Sequence, residues 1–72
     1  MSEDKIEKRG TVLKKLPNQQ FRVEVNSNGK EVLGILSGKM KRNHIDVLPG
    51  DEVTLEFSPY DLDKSYVAYR HS

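Results

Sequence analysis

The 72-residue sequence contains no cysteine and no tryptophan, and only 7% of its residues are aromatic. Without cysteine there is no disulfide framework and no thiolate zinc site, so packing alone must hold the fold together. No apolar run approaches the roughly twenty residues that span a bilayer, and no apolar segment follows the polar residues 1–5. We therefore expect a soluble protein that is neither secreted nor membrane-spanning.

Catalytic motifs are also missing. The two histidines, His44 and His71, belong to no recognisable nucleophile–base motif, and no Gly-x-Ser-x-Gly turn or phosphate-binding loop occurs. A chain of this size buries only about 60% of its unfolded surface, which leaves little room for an enclosed active site. The sequence predicts a non-enzymatic domain without a metal or a cofactor.

Charge is unevenly distributed along the chain. Residues 1–42 hold ten Lys/Arg and five Asp/Glu, whereas residues 43–72 hold two and six. A net charge of +1 therefore conceals a basic first part and an acidic second part. If the two parts do not interleave in the fold, the surface is polarised and its basic face can bind a polyanion.

Alternation of apolar and polar residues predicts strands. It is clearest around Phe21, Val23 and Val25, and again at residues 53–57. In the third strand we expect Leu33 and Ile35 to face inward. The five predicted strands cover Ile6–Leu16, residues 20–25, 30–36, 53–57 and 66–70.

Turn residues separate these strands. Asn28-Gly29 predicts a hairpin between the second and third strands, because both residues accept positive φ. Residues 58–63 predict a longer turn before the fifth strand. Alternation also predicts which rings are buried: Phe21 is in phase with Val23 and Val25, and Tyr69 with Val67, so we expect both in the core. Tyr60 and Tyr66 are then the rings that face solvent.

Five strands with a long connection between the third and fourth indicate an all-β, five-stranded Greek-key barrel of the OB-fold class. An SH3-like barrel is the competing layout. We expect residues 1–5 to be a flexible polar tail and residues 6–72 to form one domain.

The first part of this connection, residues 37–44, is the most distinctive stretch and is called the basic knob below. It carries Lys39, Lys41 and Arg42 around a single apolar residue, Met40. A short helical turn would direct the cations outward and Met40 inward, which suits a phosphate-rich surface. A solvated loop that is basic for solubility is the alternative. Because few aromatic residues are left for stacking, we expect binding through charge and shape, which favours structured RNA.

Several segments together resemble bacterial-type translation initiation factor one. They lie in the order and spacing of that family and together cover residues 6–70. The segments are Gly10-Thr11-Val12, Leu16-Pro17-Asn18 with Phe21-Arg22-Val23-Glu24, Ser37-Gly38-Lys39-Met40, Gly50-Asp51-x-Val53 and Pro59-Tyr60-Asp61-Leu62.

The resemblance implies a monomeric, cytoplasmic OB-fold protein, of bacterial or plastid origin, that is not an enzyme. It implies binding to the small ribosomal subunit at the aminoacyl-tRNA (decoding) site, through ribosomal RNA and a neighbouring ribosomal protein, and cooperation with the other initiation factors. The RNA-binding residues that the resemblance implies are Arg22, Lys39, Lys41, Arg42, Asn43 and Arg70. From the residues themselves we add His44 in the basic knob and the exposed ring of Tyr60 as candidate RNA contacts.

Two departures from the family pattern remove cations. Many members have Tyr-Ile-Arg where this chain has His44-Ile45-Asp46, and Gly-Arg where it has Ser65-Tyr66. The hypothesis is that affinity depends on the basic knob and Arg22, or that cations of the first strand compensate: Lys8, Arg9, Lys14 and Lys15.

Two other functions remain open from the residues alone. One is a general OB-fold module for single-stranded RNA or DNA, similar to cold-shock domains, which usually presents several aromatic residues on adjacent strands. The other is a protein-interaction module whose acidic second part meets a basic partner.

Overall fold

The computed structural model describes residues 6–71, although the side chains of residues 61–63 lie outside that description. The predicted tail, residues 1–5, is also outside it. Five strands and one short helix follow one another: β1 Ile6–Leu16, β2 Gln20–Val25, β3 Glu31–Leu36, α1 Gly38–Arg42, β4 Glu52–Ser58 and β5 Asp61–Arg70.

The strands close into a barrel in the order β1-β2-β3-β5-β4, with β1 paired to both β2 and β4. All neighbours are antiparallel except β3 and β5, which run parallel. The prediction of a five-stranded OB-fold with a short helical element between the third and fourth strands is confirmed.

The long first strand takes part in two sides of the barrel because Gly10 lies at the crossing. Gly10 is opposite Val25 on β2 and opposite Val53 on β4. A Cβ atom at this position would lie 2.7 Å from Cγ1 of Val23 and 3.0 Å from the carbonyl oxygen of Glu24. Only glycine leaves the space that this close approach requires.

The barrel interior is almost entirely apolar. Val23, Val53, Leu55 and Val67 are completely buried, and Phe21 is in the core as predicted. The one buried polar side chain among the described residues is Ser65, whose Oγ donates a hydrogen bond to the carbonyl oxygen of Leu33 at 3.1 Å. Burial of this hydroxyl is therefore compensated by a hydrogen bond.

The predicted inward face of β3 is wrong. Val32, Gly34 and Leu36 point into the barrel, whereas Leu33 and Ile35 are only half-buried on the outside. Gly34 faces inward because the strands approach closely here: a Cβ atom would lie 3.1 Å from Val67. With apolar residues at four of its six positions, the strand gives no alternation from which to read the phase.

Two predictions for β5 are also wrong. The strand begins at Asp61, because a tight turn at Pro59 and Tyr60 already pairs Ser58 with Asp61. Tyr69 is 56% exposed, not in the core. The register shifts by one residue between Val67 and Tyr69, so a bulge moves Tyr69 to the outer face.

The β2–β3 hairpin has a longer loop than the predicted Asn-Gly turn. Val25 N–H donates to the carbonyl oxygen of Lys30 at 2.8 Å, which leaves four residues in the loop. Only Gly29 of the expected pair has positive φ, at 70°. The N–H of Gly29 donates back to the carbonyl oxygen of Val25, which closes a helical turn within the loop.

Candidate nucleic-acid interface

Helix α1 forms because its first turn is capped. Ser37 is the N-cap residue, and its Oγ accepts a hydrogen bond from Met40 N–H at 3.3 Å. The Met40 side chain is 2% exposed and belongs to the barrel core. The helix is thus fixed by one cap and one buried side chain, as the pattern of residues predicts.

The carboxyl end of α1 is closed by a Schellman arrangement. His44 N–H donates to the carbonyl oxygen of Lys41 at 3.1 Å, and Ile45 N–H donates to that of Met40 at 3.2 Å. His44 adopts φ of 54°, the left-handed conformation that this motif requires. Ile45 then packs against the core, so the chain is held on both sides of the helix.

The cations of the basic knob face solvent. Lys39, Lys41 and Arg42 are exposed, and no described carboxylate forms an ion pair with any of them. Asn43 and His44 are exposed at the same end of the helix. The knob therefore presents three uncompensated positive charges on a well-anchored turn, beside an amide and an imidazole that can form hydrogen bonds.

Arg70 belongs to the same end of the barrel. Its Nη1 donates to the carbonyl oxygen of Asp46 at 2.8 Å. This contact ties the end of β5 to the segment that follows the basic knob. Arg70 is exposed and retains further N–H groups for a ligand.

Arg22 lies apart from the basic knob, on the outer face of β2. Its Nη2 is 3.3 Å from Oε1 of Glu31, and both side chains are about half exposed. An exposed ion pair of this kind contributes less than about 1 kcal/mol, so a phosphate can compete for the guanidinium.

A row of cations crosses the sheet at Arg22. Lys14 of β1 lies opposite Arg22, Leu33 of β3 is the next neighbour, and Lys64 of β5 follows. Lys64 is not among the RNA-binding residues expected from the sequence. Its signal is the alternation in β5, since Ser65 and Val67 are buried while Lys64 and Tyr66 face solvent.

Tyr60 is not close to the basic knob. It is 90% exposed in the turn between β4 and β5, at the end of the barrel where β5 begins. α1 follows directly after Leu36, which lies beside Val67 near the other end of β5. The structure therefore brings Arg70 together with the knob, but places Tyr60 at the opposite end of the barrel.

The two oppositely charged parts of the chain interleave. β1 pairs with β4, and Nη2 of Arg9 is 3.0 Å from Oε1 of Glu52. The condition for a polarised surface is thus not met along this seam. The positive charge of the basic knob is local, because it results from exposed cations rather than from the separation of two halves.

Neither a membrane-spanning helix nor a metal-binding cluster is found among the described residues, which are 6–71 without the side chains of 61–63. This part of the chain has no helix that is long and apolar enough to cross a membrane. It also holds no group of three or more His, Cys, Asp or Glu residues placed to hold a metal ion.

Comparison with known proteins identifies the family. The family model described as translation initiation factor 1A / IF-1 matches residues 1–72. The solution structure of translation initiation factor one from the Wolbachia endosymbiont strain TRS of Brugia malayi is 34% identical in sequence, with a TM-score of 0.81. That match covers 99% of this chain and 83% of the other.

A more distant structure shares the fold alone. YjeQ from Thermotoga maritima is 22% identical, with a TM-score of 0.76. The match covers 93% of this chain but only 23% of YjeQ, so the barrel corresponds to one part of that larger protein.

Proposed function

The chain belongs to the translation initiation factor 1A / IF-1 family, and from this premise we propose that it binds the small ribosomal subunit at the aminoacyl-tRNA (decoding) site. It is a translation initiation factor, not an enzyme. In the proposal it contacts ribosomal RNA through basic residues, touches a neighbouring ribosomal protein and assists the other initiation factors as a monomer. Cytoplasmic action follows from the bacterial type of the family.

The observation that carries the proposal is the anchored basic knob. Lys39, Lys41 and Arg42 project from a turn whose ends are fixed by the Ser37 cap and by the hydrogen bonds of His44 and Ile45. Phosphate contacts dominate the affinity of proteins for nucleic acids. A turn that is already ordered loses little conformational entropy on binding, so more of the interaction energy remains as affinity.

The groups beside the cations suit a folded RNA. Asn43 and His44 are exposed at the end of α1, where an amide and an imidazole can bond to 2′-hydroxyl groups and base edges. The minor groove of an RNA helix is wide and shallow and displays those groups. We assign the cations to phosphates and these two side chains to the groove.

Arg70, Arg22 and Tyr60 have different places in this proposal. Arg70 supports the basic knob and extends its positive surface. Arg22 adds a phosphate contact on the β2 face after releasing Glu31. Tyr60 meets a separate RNA segment, because it lies at the other end of the barrel.

The test is equilibrium binding of labelled protein to purified small ribosomal subunits across a salt series. A triple variant, Lys39→Ala, Lys41→Ala and Arg42→Ala, is compared with the wild type. We expect weaker binding and a salt slope that is shallower by about two to three, since each phosphate contact contributes roughly 0.7 to 0.9.

A matched control removes the same charge elsewhere. The control variant carries Lys8→Ala, Lys14→Ala and Lys30→Ala, three exposed lysines outside the basic knob. It should retain most of the affinity and slope. If it loses as much as the knob variant, overall charge and the cations of β1 carry the binding instead. If the wild type fails to bind the subunit, the proposal is wrong.

The second candidate is a general module for single-stranded RNA or DNA. Tyr66 and Tyr69 of β5 are 48% and 56% exposed and supply the ring surface that such binding needs. This alternative predicts that a single-stranded homopolymer competes with the subunit at similar concentrations of binding sites. The initiation-factor proposal predicts that the subunit is strongly preferred.

A further inference from the structure

The two ends of the barrel are built differently. At the end near α1, Met40 and Val47 are both 2% exposed and fill the opening. The opposite end, where β1 and β3 begin, contains an open cavity of about 290 Å³. Its apolar lining comes from Ile6, Val25, Val32 and Phe57.

Two exposed lysines border this cavity, Lys8 of β1 and Lys30 directly before β3. Lys8 lies opposite the fully buried Leu55 of β4, and directly opposite residues point to the same face of a sheet. Lys30 lies opposite the buried Val25, whose N–H donates to the Lys30 carbonyl oxygen. Both lysines are among the cavity-lining residues.

The turn before β3 fixes the position of Lys30. Its N–H donates to Oδ1 of Asn28 at 2.9 Å, and Asn28 also lines the cavity. Neither Lys8 nor Lys30 forms an ion pair with a described carboxylate. Among the described residues, these two ammonium groups thus have no anionic partner, and they lie beside the apolar lining of the cavity.

We propose that this cavity is a docking site for an acidic peptide segment of a partner protein. One apolar side chain of the peptide enters the cavity between Val25, Val32 and Phe57, and neighbouring carboxylates pair with Lys8 and Lys30. Because the two lysines are positively charged, charge complementarity requires a negatively charged peptide. The volume limits the buried anchor to one large side chain, and burial of that anchor supplies the affinity.

The cavity fits an apolar side chain better than a nucleotide base. Phe57 is 6% exposed, so no ring face is available for stacking. The apolar lining formed by Ile6, Val25, Val32 and Phe57 offers no hydrogen bonds to the polar edges of an inserted base. The two lysines therefore act on carboxylates of a peptide and not on phosphates of an inserted RNA strand.

This inference goes beyond the proposed function, because the cavity and the basic knob are at opposite ends of the barrel. A peptide in the cavity leaves Lys39, Lys41 and Arg42 accessible to RNA. Failure of peptide binding would leave subunit binding intact, and the reverse also holds. The two proposals can thus be tested separately on the same full-length protein.

The experiment measures binding of a fluorescein-labelled peptide, Glu-Asp-Phe-Asp-Glu with blocked ends, by fluorescence anisotropy and by ¹H–¹⁵N chemical-shift changes. We expect saturable binding with shifts concentrated at Ile6, Val25, Val32 and Phe57. A peptide with Ser in place of Phe should bind at least about tenfold more weakly, because it lacks the apolar anchor.

Variants separate local contacts from overall charge. Lys8→Glu with Lys30→Glu should weaken binding by about tenfold or more, whereas Lys14→Glu with Lys15→Glu, which changes the net charge equally, should weaken it by less than about threefold. Ile6→Ser at the cavity and Leu13→Ser away from it form the matched apolar pair. Their ¹H–¹⁵N spectra verify that the variants remain folded.

Several results would overturn the proposal. These are the absence of binding, equal losses in the two charge-reversal variants, or larger shifts at the cavity with a single-stranded oligonucleotide of equal charge. A tenfold gain in peptide affinity on Glu3→Gln with Asp4→Asn would also do so. It would mean that the chain's own acidic residues compete for the lysines, which makes residues 1–5 the occupant.

Discussion

Nη1 of Arg70 donates to the carbonyl oxygen of Asp46 across 2.8 Å, and so joins the last residue of β5 to the segment that follows the basic knob. The contact is made to the backbone, so it is independent of which side chain stands at position 46. Arg70 therefore stabilises the position of the knob relative to the barrel, besides adding a positive charge there.

The first prediction concerns this contact. Arg70→Met keeps most of the aliphatic stem and removes the donor, so the local opening free energy of residues 43–47 should fall by about 1 kcal/mol. The amides of His44 and Ile45, which donate within the end of α1, should then exchange several-fold faster with solvent. Hydrogen exchange measured by NMR checks this.

The control for Arg70 is Arg22→Met. It removes an exposed arginine that pairs with Glu31 on another part of the barrel. Loss of that exposed ion pair should change the global free energy of unfolding by less than about 1 kcal/mol. Exchange at His44 and Ile45 should not change. Faster exchange in both variants would show that Arg70 has no particular effect on the knob.

The second prediction compares two glycines. Gly10→Ala introduces a Cβ atom 3.0 Å from the carbonyl oxygen of Glu24 and 2.7 Å from Val23, so the strands must move. We expect a loss of about 1 to 3 kcal/mol in the free energy of unfolding. Gly38→Ala meets nothing within 4 Å at the start of α1 and should stabilise the protein by about 0.5 kcal/mol.

Thermal unfolding of both glycine variants measures these changes. For a domain of this size, 1 kcal/mol corresponds to a shift of about 4 to 8 °C in Tm, so the two variants should move in opposite directions by a measurable amount. Equal stability of Gly10→Ala and the wild type would contradict the steric argument for the crossing of β1.

Much of this fold could be predicted because apolar and polar residues alternate along the regular strands of the barrel. β2 and β4 alternate strictly, and Met40 stands out as the one apolar residue among cations. The phase of β3 could not be obtained in this way. Its central inward residue is Gly34, which has no side chain to mark a face. The close approach of Val67 to Gly34 brings together residues that are far apart in sequence, so local periodicity does not reveal it.

The candidate site was predictable only in part for the same reason. The basic knob is contiguous in sequence, so its cations could be grouped before the fold was known. The contact of Arg70 with Asp46 depends on where β5 ends beside the helix connection. The exposure of Tyr69 depends on a bulge, and the place of Lys8 beside the cavity depends on its register with Leu55. The periodicity of a sequence does not show which residues of different strands lie opposite each other, so these features could not be predicted.

The third prediction concerns His44, which holds the left-handed conformation at the end of α1. For a residue other than glycine this conformation costs about 1 to 3 kcal/mol, whereas glycine adopts it freely but orders more backbone on folding. His44→Gly should therefore stabilise the protein by about 0.5 to 1 kcal/mol. His44→Val, with a β-branched side chain, should destabilise it.

Thermal unfolding of the two His44 variants checks the order of stability. Subunit binding adds a second readout, because the imidazole is also a candidate RNA contact. Higher stability together with weaker binding in His44→Gly would show that the ring is retained for recognition at the expense of stability. Lower stability in His44→Gly would contradict the conformational argument.

The last prediction concerns Asp46, an anion where many members of the family have an arginine. Its side chain is exposed, and the carbonyl that accepts from Arg70 is retained in any substitution. Asp46→Arg should therefore leave the fold unchanged while adding a cation beside the basic knob. We expect higher subunit affinity and a salt slope steeper by about one, as for one added phosphate contact.

Asp46→Asn separates two causes of a gain. If the carboxylate merely repels RNA, removal of its charge should raise the affinity as much as the arginine does. If a phosphate lies within reach of position 46, only the arginine should steepen the salt slope. No gain from Asp46→Arg would mean that this position faces no phosphate, and it would contradict the hypothesis that the basic knob and Arg22 sustain binding after a contact at 46 was lost.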